Sequence, residues 1–288
     1  MDAILATGIQ ALTGIASLLL VSLGLAIVFG MMRVINLAHG EFLMLGAYSA
    51  ILAVEAGVNL WVAMLVVAPV CVGLLGAVVE RLVIRRLYGR MVDTMLATWG
   101  LSLALIGAVT MIFGNSVAGF SAPLGSVQIG VYSTSGYGLF LIGATVVLLA
   151  AVWAVLRFTP VGLIARGTMQ NPGMAAALGV PTERVYALSF AAGAAVSGLA
   201  GALMAPFSGV VPTMGTAYIA KSFITVITGG AAMLAGTGSA SVLLGGVNTI
   251  GTFAFTPVLG EVLMLGVAIL LLRLLPQGIT GRFFRRAL

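Results

Sequence analysis

Apolar residues run in blocks along this chain, and the polar residues gather between the blocks. Predominantly apolar segments lie at about 8–30, 42–57, 59–79, 94–114, 138–157, 187–207, 217–232, 240–255 and 260–275. A helix needs about 20 apolar residues to cross the hydrocarbon core of a bilayer. A membrane β-barrel would alternate polar and apolar positions in strands of about 10, and these segments do not alternate. The pattern predicts an all-α polytopic membrane protein, a bundle of about 8–10 transmembrane helices with broken helices in each half. It leaves no stretch long enough for a separate soluble domain, so residues 1–288 read as a single transmembrane domain.

Composition points the same way. The 288 residues are 61% hydrophobic and 7% charged, with a mean hydropathy of +1.22, whereas soluble proteins carry roughly 25% charged residues. The net charge of +6 does not indicate nucleic acid, because the arginines sit at the ends of apolar blocks rather than along one continuous face. Arg81, Arg85, Arg86 and Arg90 cluster in 80–93, Arg166 and Arg184 lie in the polar loop 158–186, and Arg282, Arg285 and Arg286 close the chain. Positive charge marks the cytoplasmic side of a membrane protein, so all three regions are expected there, with the uncharged loop 115–137 outside. The N-terminus lacks a basic leader region, and the first apolar block is expected to be retained as a span.

With Arg157 and Arg273 counted at the edges of the loop and the tail, two cations stand apart: Arg33, in "FGMMRVINLAHGEF", and Lys221, the sole lysine, in "SGVVPTMGTAYIAKSFITVITGG". Both stretches are apolar segments interrupted by Gly, Pro or Asn. Matched interruptions of this kind are a sequence pointer to a transport site, since non-helical backbone at membrane depth must be buried in protein or line a wet cavity. Arg33, Asn36, His39, Glu41 and Lys221 are therefore the candidates for a translocation pathway. The plainer alternative makes residues 31–41 a short loop and both cations anchors that reach for the headgroups.

Other chemistry is excluded by what the sequence lacks. It has no P-loop, no His-Glu-x-x-His and no Gly-x-Ser-x-Gly. One histidine and one cysteine (Cys71) make neither a His-rich metal site nor a disulfide. His39 and Glu41, two residues apart, do not share a helix face and do not form a proton-shuttling pair. Neither an enzyme nor a resident cofactor is expected. The 14 methionines read as core filling. The small residues of "GAAVSGLAGAL" (193–203) read as a close helix-packing face.

The loop 158–186 has structure of its own. Asn171 and Pro172 suit an N-cap and first helical position, "GMAAALG" forms a short helix, and Gly179 suits its stop. A helix so short needs something to pack against, either its own bundle or a partner protein.

Five motifs in order, "GMMRVINLAHGEFLMLGAY", "LYGRMVDTMLATWGLSL", "MQNPGMAAALGV", "YIAKSFITVITGG" and "LPQGITGRF", resemble the permease subunits of ABC importers for branched-chain amino acids, a family that includes importers of urea and short amides. The resemblance runs from about residue 20 to the C-terminus. It implies a second permease subunit, two cytoplasmic ABC ATPase subunits that bind the ATP, a periplasmic substrate-binding protein and a bacterial inner (cytoplasmic) membrane. It also implies that the loop helix couples to an ATPase, with Arg166, Asn171, Pro172, Met174, Ala175 and Gly179 as the residues involved, and that the 35–40 break lies beside the translocation path. Two positions depart from the family pattern: Leu163 stands where many relatives have arginine, and Leu275 precedes Pro276, with Arg273 left as an anchor. The rival classes are a stand-alone secondary transporter, for which Glu55 and Glu261 are the mid-span acid candidates, and a membrane scaffold, which leaves the polar interruptions without a purpose.

Overall fold

Helix α1 (Asp2–Met32) is followed by a non-helical stretch at 33–38 and then α2 (His39–Glu55). A continuous helical span follows, built of α3 (Leu60–Val62), a π-helical turn (Ala63–Val67) and α4 (Ala68–Leu82). The π turn has a local cause. Pro69 has no N–H to give the carbonyl four residues before it, and its ring crowds that carbonyl. The wider turn just ahead of Pro69 relieves both. After a 3₁₀ turn (Ile84–Leu87) come α5 (Met91–Phe113), strands β1 (Ser126–Ile129) and β2 (Tyr132–Ser135), α6 (Gly136–Phe158), α7 (Pro160–Gln170), α8 (Pro172–Ala177), α9 (Thr182–Ser208), α10 (Met214–Gly229), α11 (Met233–Ala254), α12 (Pro257–Leu274) and α13 (Gly278–Phe284). This computed structural model describes residues 2–130, 132–230 and 232–284. The tail arginines Arg285 and Arg286 lie outside the described residues.

Among the described residues seven helical stretches are long and apolar enough to cross a membrane: Thr7–Met32, Leu60–Leu82, Met91–Phe113, Gly136–Phe158, Thr182–Ser208, Met233–Ala254 and Pro257–Gly281. Helices α2 and α10, at 17 and 16 residues, are the two shorter apolar segments. The chain is thus an all-α multi-pass membrane protein. Three elements add to the expected pattern. Strands β1 and β2 pair antiparallel inside the uncharged loop 115–137, with Ser126 opposite Ser135, and α7 precedes the expected loop helix.

The chain falls into two compact units. The first comprises Met1–Ser22, Ser121–Ala150 and Lys221–Leu288, and the second Leu23–Phe120 and Ala151–Ala220.

Small residues bring the helices of the second unit together. Helix α9 lies against α2 and α4. A Cβ at Gly201 would stand 2.8 Å from the Cα of Leu43, and one at Gly198 would stand 3.0 Å from the Ala68 carbonyl. Only hydrogen fits at such points, as expected of the small-residue run at 193–203. Around them Val28, Phe42, Val72, Val79, Phe190 and Ala194 form a core, with the Phe42 and Phe190 rings edge to face, centroids 5.9 Å apart. A second cluster joins Met44, Tyr48, Ile51, Val109 and Val210.

In the first unit Leu18, Leu244, Met264 and Ala268 form the core. Helix α12 begins at a Thr256 cap whose hydroxyl accepts the Leu259 amide at 3.3 Å. The gap after α10 is closed by α13. The Thr280 hydroxyl donates to the Gly229 carbonyl at 2.6 Å and accepts the Ala232 amide at 3.1 Å.

Candidate functional site

Helix α1 ends because Arg33 turns left-handed, at φ 52°, while its amide still donates to the Phe29 carbonyl at 2.8 Å. A non-glycine residue there is strained. The chain then runs without helical bonds to His39, and its amides find other partners. The Leu37 amide donates to the Thr98 hydroxyl of α5 at 3.1 Å. The Asn36 side-chain carbonyl accepts the Ala38 amide at 3.0 Å, and the Asn36 backbone carbonyl accepts the His39 amide at 3.3 Å. Asn36 thus builds the turn that starts α2.

Asn36, His39 and Glu41 are 3%, 1% and 2% exposed, so all three are held inside the second unit. His39 Nδ1 lies 3.2 Å from Ser197 Oγ, on α9. That hydroxyl has one proton and donates it to the Gly193 carbonyl at 2.8 Å. The Ser197 hydroxyl thus sits between the His39 ring and the Gly193 carbonyl and ties the start of α2 to α9. Glu41 faces another way, towards α5, where Ser102 hydrogen-bonds its carboxyl group. Its Oε2 is buried with no hydrogen-bond partner among the described residues. Position 41 lies in the first turn of α2, where the helix dipole favours an anion. His39 and Glu41 therefore serve different neighbours, as their spacing requires. Three hydroxyls escaped the sequence reading: Thr98, Ser102 and Ser197. Each sits among other serines and threonines of its own span, so no local signal sets it apart.

Arg33 does not join that group. It is exposed and lines a cleft of about 500 Å³ with Val34, Tyr88, Thr168, Gln170 and Pro172. The stray arginine therefore meets the loop helices at the end of the second unit where the 80–93 arginines also lie. Tyr88 helps shape this end. Its phenol donates to Glu80 on α4, and its ring packs against Tyr186 at 5.2 Å. Burial, then the adjacent Glu80 carboxylate, pushes the phenol above its usual range, so it stays a donor.

Lys221 lies in the first unit, within continuous α10, and pairs with Glu261 of α12. The backbone interruptions of this region fall at 209–213 and at residues 230 and 232, at the two ends of α10, and not at Lys221 itself.

The loop helix forms as its capping residues require. The Asn171 side chain accepts the Met174 amide at 2.9 Å, Pro172 opens α8, and Gly179 ends it at φ 84° with its amide on the Ala176 carbonyl. Ala175 is buried, whereas Met174 and Leu178, one turn apart, are 58% and 77% exposed. Helix α7 is capped by Thr159 and folds tightly against the end of α6, where a Cβ at Gly162 would overlap the Val155 carbonyl. Arg166 is half-buried and its Nε donates to the Gly162 carbonyl at 3.4 Å, so it braces its own helix.

No solved structure matches the chain significantly. Its relatives are informative. It is 26% identical to the high-affinity branched-chain amino acid transport system permease protein LivH of Salmonella typhimurium, over 91% of both chains. It is 27% identical to the corresponding permease protein BraD of Pseudomonas aeruginosa, again over 91% of both. It is 25% identical to the probable branched-chain amino acid transport permease protein LivH of Methanocaldococcus jannaschii, over 92% of this chain and 88% of that one. The model of the family described as "branched-chain amino acid transport system / permease component" matches residues 8–272. By that extent of match, the chain belongs to the branched-chain amino acid transport permease family.

Proposed function

We propose that this chain is the membrane-spanning permease of an ATP-driven importer that carries branched-chain or other hydrophobic amino acids across a bacterial cytoplasmic membrane. The names of its relatives support that solute class over urea or short amides. ATP is bound by two separate ATPase subunits, a second permease completes the conduit, and an external binding protein delivers the solute. The arginine-rich end of the second unit faces the cytosol, as positive residues do.

The observation that carries this reading is α8. It is a fully capped six-residue helix with its apolar Met174 and Leu178 turned out to solvent. A helix that short persists only when held at both ends, and an apolar face kept in water calls for a partner. We assign that partner as an ATPase groove, with Asn171, Pro172, Ala175 and Gly179 holding the helix in shape and Arg166 bracing the α7 segment before it. Asn36, His39 and Glu41 supply polar contacts along the route, with Glu41 suited to the ammonium of a zwitterion. Arg33 stands at the cytosolic mouth, and Lys221, held by Glu261, tunes the other unit.

Uptake of radiolabelled leucine into proteoliposomes carrying the whole assembled importer tests the reading. We expect ATP-dependent uptake that Asn36→Leu and Glu41→Gln reduce without loss of membrane insertion. Uptake that proceeds without ATP would falsify the importer assignment in favour of a secondary transporter. Uptake of urea in place of leucine would move the solute to the amide class.

A further inference from the structure

Between the last turns of α4 and the first turns of α9 the second unit has another cleft, of about 490 Å³. Ala77 and Ala187 line it with small side chains, and Arg81, Arg85 and Arg184 supply three guanidinium groups. Two carboxylates also reach it, and both are committed. Glu80 accepts the Tyr88 phenol, and Glu183 pairs with Arg85. Arg81 and Arg184 have no carboxylate partner among the described residues. Glycines let α4 and α9 meet closely just above the cleft, a Cβ at Gly73 standing 3.1 Å from that of Ala195. The outward faces that continue from it along the two helices are aliphatic and exposed: Leu74, Val78 and Leu82 on α4, and Leu188 on α9.

This is a site with two uncommitted guanidinium groups at its head and a greasy surface leading away from it. A free anion would use only the head. A diacyl lipid uses both parts, and the bilayer supplies it at the depth where the arginines end the span. We propose that the α4–α9 cleft binds the phosphodiester headgroup of an anionic glycerophospholipid, held by Arg81 and Arg184, with its acyl chains lying along Leu74, Val78 and Leu188. The Arg85–Glu183 pair lines the same cleft. The lipid then ties the end of α4 to the start of α9, the helix that directly follows α8. The proposal depends on the spans and the charge placement, and it stands or falls independently of which solute is carried.

Native mass spectrometry of the whole importer complex in nanodiscs of mixed phosphatidylglycerol and phosphatidylcholine tests this. We expect phosphatidylglycerol to be retained preferentially. Arg81→Gln and Arg184→Gln should each lower that preference about five-fold, and Arg81→Lys should keep most of it. Arg86→Gln, outside the cleft, should leave it unchanged. An unaltered preference in the Arg81→Gln/Arg184→Gln double variant overturns the proposal. Displacement of the bound lipid by inorganic phosphate also overturns it, and marks a free-anion site instead. Should the double variant fail to assemble, a photoreactive phosphatidylglycerol on the unmodified complex decides. Crosslinks at residues 74–81 and 184–188 support the site, and crosslinks only elsewhere, or a second permease chain found covering Arg81, reject it.

Discussion

The hydroxyl of Thr98, on α5, accepts the amide of Leu37 at 3.1 Å, 61 residues away in the chain. The same oxygen donates to the Thr94 carbonyl at 2.9 Å. One side chain thus serves its own helix and closes an open amide of the break between α1 and α2. Thr98→Val keeps the shape and removes the acceptor, leaving a half-buried amide unpaired at a cost of about 1 kcal/mol. The thermal midpoint of the purified chain in detergent should fall, and Thr98→Ser should restore it. An unchanged midpoint in Thr98→Val would mean that the amide finds water.

Gly201→Ala should destabilise the second unit by about 1–3 kcal/mol, the usual range for overpacking, because the added methyl meets the Leu43 backbone. Gly266→Ala, on α12, meets nothing within 4 Å and should be neutral or slightly stabilising, by up to about 1 kcal/mol of helix propensity. Thermal unfolding followed by light scattering separates the two. Equal behaviour of both variants would remove the close-packing account.

Met174→Asp with Leu178→Asp should abolish co-purification of the ATPase subunits while the permease still inserts and resists unfolding, since both side chains are exposed. Asn171→Ala loses the cap bond to Met174 and about 1 kcal/mol of local helix stability. It should weaken co-purification without ending it. Intact co-purification in the double aspartate variant would exclude α8 as the docking element.

The Lys221–Glu261 pair has side chains 27% and 51% exposed. A double-mutant cycle with Lys221→Met and Glu261→Gln in detergent should therefore give a coupling of about 1 kcal/mol or less, and exchanging the two charges should preserve it. A much larger coupling would show that the pair is shielded in the assembled protein.

Much of this architecture is written in local pattern. The span 94–114 was readable because apolar residues fill it, and it forms as Met91–Phe113. Helix α8 was readable because Asn171, Pro172 and Gly179 each act through their own backbone positions. Helix α7 was not, although Thr159 and Pro160 give it the same kind of start, because its body "PVGLIARGTMQ" includes two glycines and what holds it is its fit against α6. The strands β1 and β2 hide in a glycine-rich stretch with no sustained alternation. The polar partners of the break were out of reach for a different reason. Serine and threonine in a span commonly bond their own helix, as Thr145 does with the Leu141 carbonyl, and nothing local distinguishes Thr98, Ser102 or Ser197 from these. Asn36, His39 and Glu41 were found because they are polar where the chain is not. Arg33 was found by the same rule, yet its left-handed backbone turns it towards the loop helices, a direction no spacing rule predicts.

Thr280 makes the last helix a leash. Its single hydroxyl grips both sides of the opening after α10, so a pull on α13 arrives at Gly229 directly. A bulky reporter inserted beside α13 would tug on the opening itself. Attachment beside the charge-free strands β1 and β2 leaves the grip alone.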